Sequence, residues 1–408
     1  MAGGANQITA GFLPLLDSAV LIVAKELNFA EAEGIDLALV RETSWANIRD
    51  RLAVGHFQVA HVLAPMPIAC NLGLTPLVVP TIVPMALGLG GNAVTVSNSL
   101  WADMADKGAR ADFDPAMAGR ALKAVLADRA SKSKPMLRFA VVHPYSGHNY
   151  EFRYWLATCG IDSSRDVEIV IVPPPLMLDA LAGGTIDGYC VGEPWNTAAA
   201  LAGKGHIATV KAAIWRSSPE KVLGARARWA EENIDVLSAL LRALCGAAEW
   251  CGDARNRDDL ARILAEKAYV GRPSEWLLPA LEGELPDGSG GAKAVTDFFV
   301  PFAKAATFPW KSHALWFYSQ MVRWGQIKHT AENSLVARET YRPDIYRAAL
   351  KPLGIALPVA NAKVEGALTS ATPVGSSGAS LVLGPDGFFD GGLFDPDKLD
   401  AYIASQAQ

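Results

Sequence analysis

Charge is scarce in this chain. Only 19% of the 408 residues are Asp, Glu, Lys or Arg, half are hydrophobic, and the net charge is -5. Disordered chains have the opposite balance, so a packed globular protein is expected. The acidic sign favours neither nucleic acid nor an anionic membrane as a direct partner. Cysteine is scarce too. Cys70, Cys159, Cys190, Cys245 and Cys251 form an odd set with no C-x-x-C pair. That speaks against a disulfide framework and against a structural zinc site. Isolated cysteines in apolar surroundings fit the core of a protein in a reducing compartment. No run of 18 apolar residues occurs, so no membrane span is expected. The first basic residue is Lys25, and the apolar stretch Phe12–Ala24 is interrupted by Pro14 and Asp17. This is not the pattern of a secretory signal, and a cytoplasmic location is expected. Enzyme signatures are missing as well: G-x-S-x-G, Walker A, H-E-x-x-H and G-x-G-x-x-G are not found. A binding protein without cofactor or metal therefore ranks above an enzyme.

What is present is a repeated strand-then-loop-then-helix pattern. The sharpest instance is Leu137–Trp155, LRFAVVHPYSGHNYEFRYW. Phe139–Val142 reads as a short buried strand, which breaks into a Gly-containing loop and then a helical pattern. Such a junction presents free backbone N–H groups at a strand end, a physical basis for an anion site. Earlier in the chain, Ile8–Phe12, Ile35–Val40 and Val59–Leu63 read as strands, separated by helices over about 18–29 and 46–54. Asp17 and Ser44 are plausible N-caps of those helices. Pro76–Pro80 is strand-like, as is Ala93–Val96, and the crossing into a second lobe is placed near Ser97. The second lobe repeats the logic through Phe139–Val142, Glu168–Val172 and Tyr189–Val191, with Ile207–Val210 and Val222–Ala225 as return strands.

A chain of 408 residues exceeds a single core. The expected division is 1–96 for the first part of lobe 1, 97–211 for lobe 2, and 212–364 for the return with a helical extension. Residues 365–408 complete it as a Ser/Gly-rich linker and tail. The aromatic-rich stretch Phe298–Trp324 is expected to pack on the first lobe, Gly366–Ser380 to be mobile, and Phe388–Tyr402 to pack back or meet a partner. Loops of two lobes facing each other make a cleft, a preferred place for a small ligand.

Several residues sit at these loop edges. His148 is either a donor to an oxyanion or a structural histidine capping the helix start, and His143 reads as structural. Glu193, in Gly-Glu-Pro-Trp, is either part of a helix start or an orienting group for a ligand-binding cation. Trp45 offers an indole N–H, Asn92 an amide and Lys221 a positive charge; for each, a structural or solvated role is the competing reading. Together they would satisfy a small planar anion such as nitrate or nitrite, which has acceptors and no proton to give.

The stretches 8–33 (ITAGFLPLLDSAVLIVAKELNFAEAE), SWANIRD at 44–50, HVLAPMP at 61–67, RYWLATCGID at 153–162, IVPPPLM at 171–177, CVGEPWN at 190–196 and SPEKVLG at 218–224 carry a resemblance. They resemble the nitrate- and bicarbonate-binding proteins of cyanobacterial-type ABC importers, most of all the cytoplasmic branch of NasS-type nitrate/nitrite sensors. The resemblance spans about residues 7–350. It implies an α/β, two-lobed type II periplasmic-binding-protein fold with an added helical C-terminal region. It implies an anion pocket of Trp45, Asn92, Gly147, His148 and Lys221, with Glu193 as a possible supporting residue. An uncharged amide at Asn92, where the bicarbonate binder uses a carboxylate, points to nitrate or nitrite. For the sensor branch the implied partner is an RNA-binding antiterminator of the NasT type, held until the anion releases it. The alternative role is the solute receptor of a nitrate or bicarbonate importer.

Overall fold

The computed structural model describes residues 6–376 and 379–406. Strand Asn6–Phe12 pairs in parallel with Ile35–Arg41 along its whole length and with Val59–Leu63 at its end. Helices connect these strands, as parallel pairing requires. The sheet is completed by Lys221–Arg226, antiparallel to both Val59–Leu63 and Thr81–Ala86. Its spatial order is 35–41, 6–12, 59–63, 221–226, 81–86. A second sheet has the same plan. Arg138–Val141 runs parallel to Glu168–Ile171 and Gly188–Gly192, and Asn92–Ser97 runs antiparallel to Gly188–Gly192 and Gly205–Val210. Each lobe thus receives one antiparallel strand at the place where the chain passes between lobes.

This moves the expected crossing. Asn92–Ser97 belongs to the second sheet, so the chain leaves the first lobe after Ala86 rather than near Ser97. The strand around Ile207–Val210 also stays in the second sheet; only Lys221–Arg226 returns to the first. Pro76–Pro80 is not a strand. Its flanking prolines lack donors for a ladder, and Val79 N–H instead meets Cys70 Sγ at 3.4 Å.

Apolar helices carry the rest. Ile234–Gly252 buries Leu237, Leu240, Leu241 and Leu244 at a helical spacing against Ala19–Glu26 and Pro343–Leu350 of the first lobe. The aromatic-rich helix Lys311–Arg323 does more than cover that lobe. It packs against Pro65–Asn71 on one side and Gly147–Thr158 of the second lobe on the other, with the Tyr150 and Phe317 rings 6.2 Å apart. No helix among the described residues is long and apolar enough to cross a membrane.

The stretch after 364 is not a linker. Glu365 is buried and accepts from Ser312 Oγ at 2.6 Å. Thr372–Ser376 and Ala379–Leu383 pair as antiparallel strands; residues 377 and 378 of the expected mobile stretch lie outside the described residues. Phe388 stacks on Trp215 with ring centroids 4.6 Å apart, and Tyr154 Oη donates to Asp390 at 2.8 Å. Buried aromatic area and charge-assisted hydrogen bonds hold this Ser/Gly-rich segment in place.

Candidate anion site between the lobes

The strand ends of both lobes converge on one buried polar cluster. Asp17 lies in the turn after Asn6–Phe12, and Trp45 opens helix Trp45–Ala53 after Ile35–Arg41. Ser44 caps that helix, accepting from Asn47 N–H at 3.2 Å. His61 sits inside strand Val59–Leu63, and Asn92 begins Asn92–Ser97. From the second lobe, Gly147 and His148 open helix Gly147–Thr158, capped by Ser146, which accepts from Asn149 N–H at 3.0 Å. Glu151 follows one turn later. Lys211 comes just after Gly205–Val210, and Lys221, preceded by Glu220, begins the strand that returns to the first lobe. Carboxyl ends of parallel strands are where ligands of open α/β sheets bind.

Lys221 is the centre. Its Nζ donates to Asp17 Oδ2 at 2.8 Å and to Glu220 Oε1, and lies 5.3 Å above the Trp45 ring. His61 Nε2 is 3.1 Å from Asp17 Oδ1, and the His61 ring lies 5.3 Å from that of Trp45. Glu220 continues the chain of charge: its Oε2 is ion-paired to Lys211, and its Oε1 is 3.4 Å from His148 Nδ1. Lys211 also stands 3.1 Å from Glu151 Oε1. Two glycines are required by close approach. A Cβ on Gly147 would come within 2.8 Å of Glu220 Oε2, and one on Gly192 within 3.0 Å of Asn92 Oδ1 and 3.4 Å of Asp17 Oδ2.

Burial and pairing set the protonation states. Burial alone would raise the Asp17 carboxyl, but Lys221 and His61 outweigh it and hold it at about 2. Burial likewise opposes ionisation of Glu220, yet His148 and the two lysines bring its carboxyl below the usual range. Burial pushes His148 down to about 3 and lowers His61, so both rings are neutral at pH 7. Burial raises Glu151 to about 8, against the pull of Lys211. Desolvation works against the Lys211 ammonium, but Glu151 and Glu220 raise its pKa overall.

Buried charges are a poor way to gain stability, since their desolvation rivals their attraction. A cluster with such shifts, buried where the strand ends of the two sheets meet, is a candidate functional site. Its donors sharpen this. Trp45 Nε1, both amide atoms of Asn92 and both ring nitrogens of His148 are buried without a hydrogen-bond partner. Leaving such a group unmade costs about 1–3 kcal/mol; the donors among them are the Trp45 N–H, the Asn92 amide NH2 and the one N–H of neutral His148, and beside an ammonium these suit a small acceptor-rich anion.

The structure therefore gathers Trp45, Asn92, Gly147, His148 and Lys221 around one cluster. His148 does not cap its helix, because Ser146 does. Lys221 is buried, not solvated. Glu193 stands apart: its Oε2 accepts from Thr197 N–H at 3.1 Å and burial raises it to about 7. Its backbone ties the lobes, with N–H donating to Gly91 O at 3.0 Å and O accepting from Leu16 N–H at 2.9 Å. Asp17 is not an N-cap; its carboxylate belongs to Lys221 and His61. His143 has the expected structural role, its Nδ1 accepting from Tyr145 N–H at 3.1 Å. Sequence reasoning missed Asp17, His61, Glu151, Lys211 and Glu220 as members. His61 and Glu220 lie inside the HVLAPMP and SPEKVLG stretches, which was a usable signal; Glu151 and Lys211 carry none.

The NMT1-like family matches residues 2–265. The nitrate/nitrite binding protein NrtA of Synechococcus elongatus is 34% identical over 407 residues, covering 97% of this chain and 85% of that protein. The bicarbonate-binding protein CmpA of Synechococcus sp. is 29% identical over 420 residues, covering 98% and 86%. The crystal structure of the periplasmic nitrate-binding protein NrtA from Synechocystis superimposes with a TM-score of 0.85 at 26% identity, covering 98% of each chain. The two-lobed periplasmic-binding-protein architecture expected from the sequence is thus the fold of this chain.

Proposed function

The chain belongs to the NMT1-like family, and on that premise we propose that it is a solute-binding protein for nitrate or nitrite, serving as the receptor of an ABC importer. The observation that carries this reading is the set of unpartnered donors of Trp45, Asn92 and His148 around Lys221. A planar monovalent anion can accept from all of them without supplying a proton. Bicarbonate would bring a hydroxyl that needs an acceptor. Asp17 Oδ2 and Glu220 Oε1 are both engaged by Lys221, so that hydroxyl would have to use Asn92 Oδ1 or Asp17 Oδ1, whereas nitrate or nitrite needs neither. Closure of the lobes over the anion would present a new surface to a partner, in proportion to the ligand's preference for the closed form.

A second reading makes the protein a cytoplasmic sensor that sequesters a NasT-type RNA-binding antiterminator until nitrate or nitrite arrives. The net charge of -5 agrees, since the RNA contacts would then belong to the partner. The named relatives bind nitrate, nitrite or bicarbonate, and the importer role now stands ahead of the sensor role, reversing the sequence-based order. Calorimetric titration with nitrate, nitrite and bicarbonate tests the ligand. Nitrate or nitrite binding that Lys221→Ala abolishes is expected; bicarbonate binding alone would overturn the assignment. Co-purification with importer subunits or with the antiterminator, with and without nitrate, separates the two roles.

A further inference from the structure

One carboxylate lies where the proposed ligand should lie. Glu220 Oε1 meets Lys221 Nζ and is 3.4 Å from His148 Nδ1, and Glu220 Oε2 lies against Gly147. A single side chain therefore contacts three of the five residues of the anion site. It does so at the start of the 12-residue helix Gly147–Thr158, where N–H groups and the helix dipole favour negative charge. Behind it, Lys211 holds the same carboxylate by Oε2 and is itself fixed by donation to Pro219 O at 2.6 Å.

We propose that Glu220 is a resident counter-anion: it neutralises Lys221 and fills the helix-terminal subsite, an incoming monovalent anion takes over those contacts, and Lys211 retains the displaced carboxylate. The proposal rests on the anion-binding reading above. Its physical ground is charge. Lys221 and Lys211 are balanced by Asp17 and Glu220, so an added anion beside an unmoved Glu220 would set two negative charges side by side at low dielectric. Lys211 relieves this because its other neighbour, Glu151, is raised to about 8 by burial and so is largely uncharged at pH 7. Glu220 is then the group an entering anion displaces, and Lys211 a positioning residue.

The test is calorimetric titration with sodium nitrate of the full chain, of Glu220→Gln and of Lys211→Gln, with thermal unfolding of each at zero and saturating nitrate. Glu220→Gln keeps the shape and removes the competitor. It should bind nitrate about tenfold tighter and show a larger nitrate-dependent rise in Tm than the parent. Lys211→Gln should bind about tenfold more weakly, because Glu220 then has only Lys221. A parent that binds nitrate with an equal or weaker Glu220→Gln overturns the counter-anion and leaves the anion reading standing. A silent parent with a binding Glu220→Gln supports it, as a site blocked by its own carboxylate. Nitrate binding by neither overturns both. Should Glu220→Gln not fold, unchanged nitrate affinity in Lys211→Gln is the overturning result.

Discussion

Lys221 and Lys363 occupy similar settings with different outcomes. Each reaches two carboxylates, Asp17 and Glu220 for the first, Glu365 and Asp386 for the second, and each has a buried histidine nearby. Around Lys363 nearly every polar atom is used. Ser312 Oγ donates to Glu365 at 2.6 Å and Leu368 N–H donates to Asp386 at 2.9 Å; one ring nitrogen of His313, 3.5 Å from Glu365, is the exception. Around Lys221 the donors of Trp45, Asn92 and His148 are left over. A satisfied buried network rigidifies, whereas unmet donors cost free energy that only another partner recovers. The Lys363 cluster fastens the C-terminal segment to helix Lys311–Arg323; the Lys221 cluster keeps the unmet donors on which the proposed anion site rests.

The largest effects should fall on opposite observables. Lys221→Ala is expected to remove calorimetrically detectable nitrate binding. Lys363→Ala should leave nitrate affinity unchanged and lower the unfolding free energy by about 3 kcal/mol, because it strands buried carboxylates. Urea denaturation paired with titration reads both, and loss of binding in Lys363→Ala would erase the distinction. Trp45→Phe comes next. It keeps an aromatic ring but trims the buried indole and deletes an N–H that has no partner in the protein. Nitrate affinity should fall about tenfold, with about 1–2 kcal/mol of stability lost to the smaller side chain.

Two smaller effects sharpen the contrast. The Glu151 carboxyl, raised to about 8 from 4.5, contributes stability below pH 4.5 that is lost as pH rises through about 8. Glu151→Gln should flatten that loss between pH 4.5 and about 8 in a pH series of denaturation curves; an unchanged slope would mean that Glu151 is ionised in the fold. Tyr154→Phe deletes the hydrogen bond to Asp390. It should cost about 1 kcal/mol of stability with no change in nitrate binding.

Much of the first and second lobes was legible as alternating strand and helix, because buried parallel strands write short apolar runs with helices between them. The strand Asn92–Ser97 was legible as a strand but not as a member of the second sheet. Its residues state that it is buried on both faces, and nothing local states whose neighbour it is. The C-terminal segment misled for a related reason. Ser and Gly signal weak local preference, while Phe388, Asp390 and Glu365 fasten it by contacts far away in the chain.

The sequence by itself determined the two-lobed plan, the loop edges where Trp45, Asn92, Gly147, His148 and Lys221 sit, and the absence of an enzyme signature. Only the tertiary structure decided that Asp17, His61, Lys211 and Glu220 share that site. Protonation and pairing depend on burial and on separations of a few ångströms between residues as distant in sequence as Asp17 and Lys221. Such distances are set by how the two sheets meet, and no local pattern of residues encodes them.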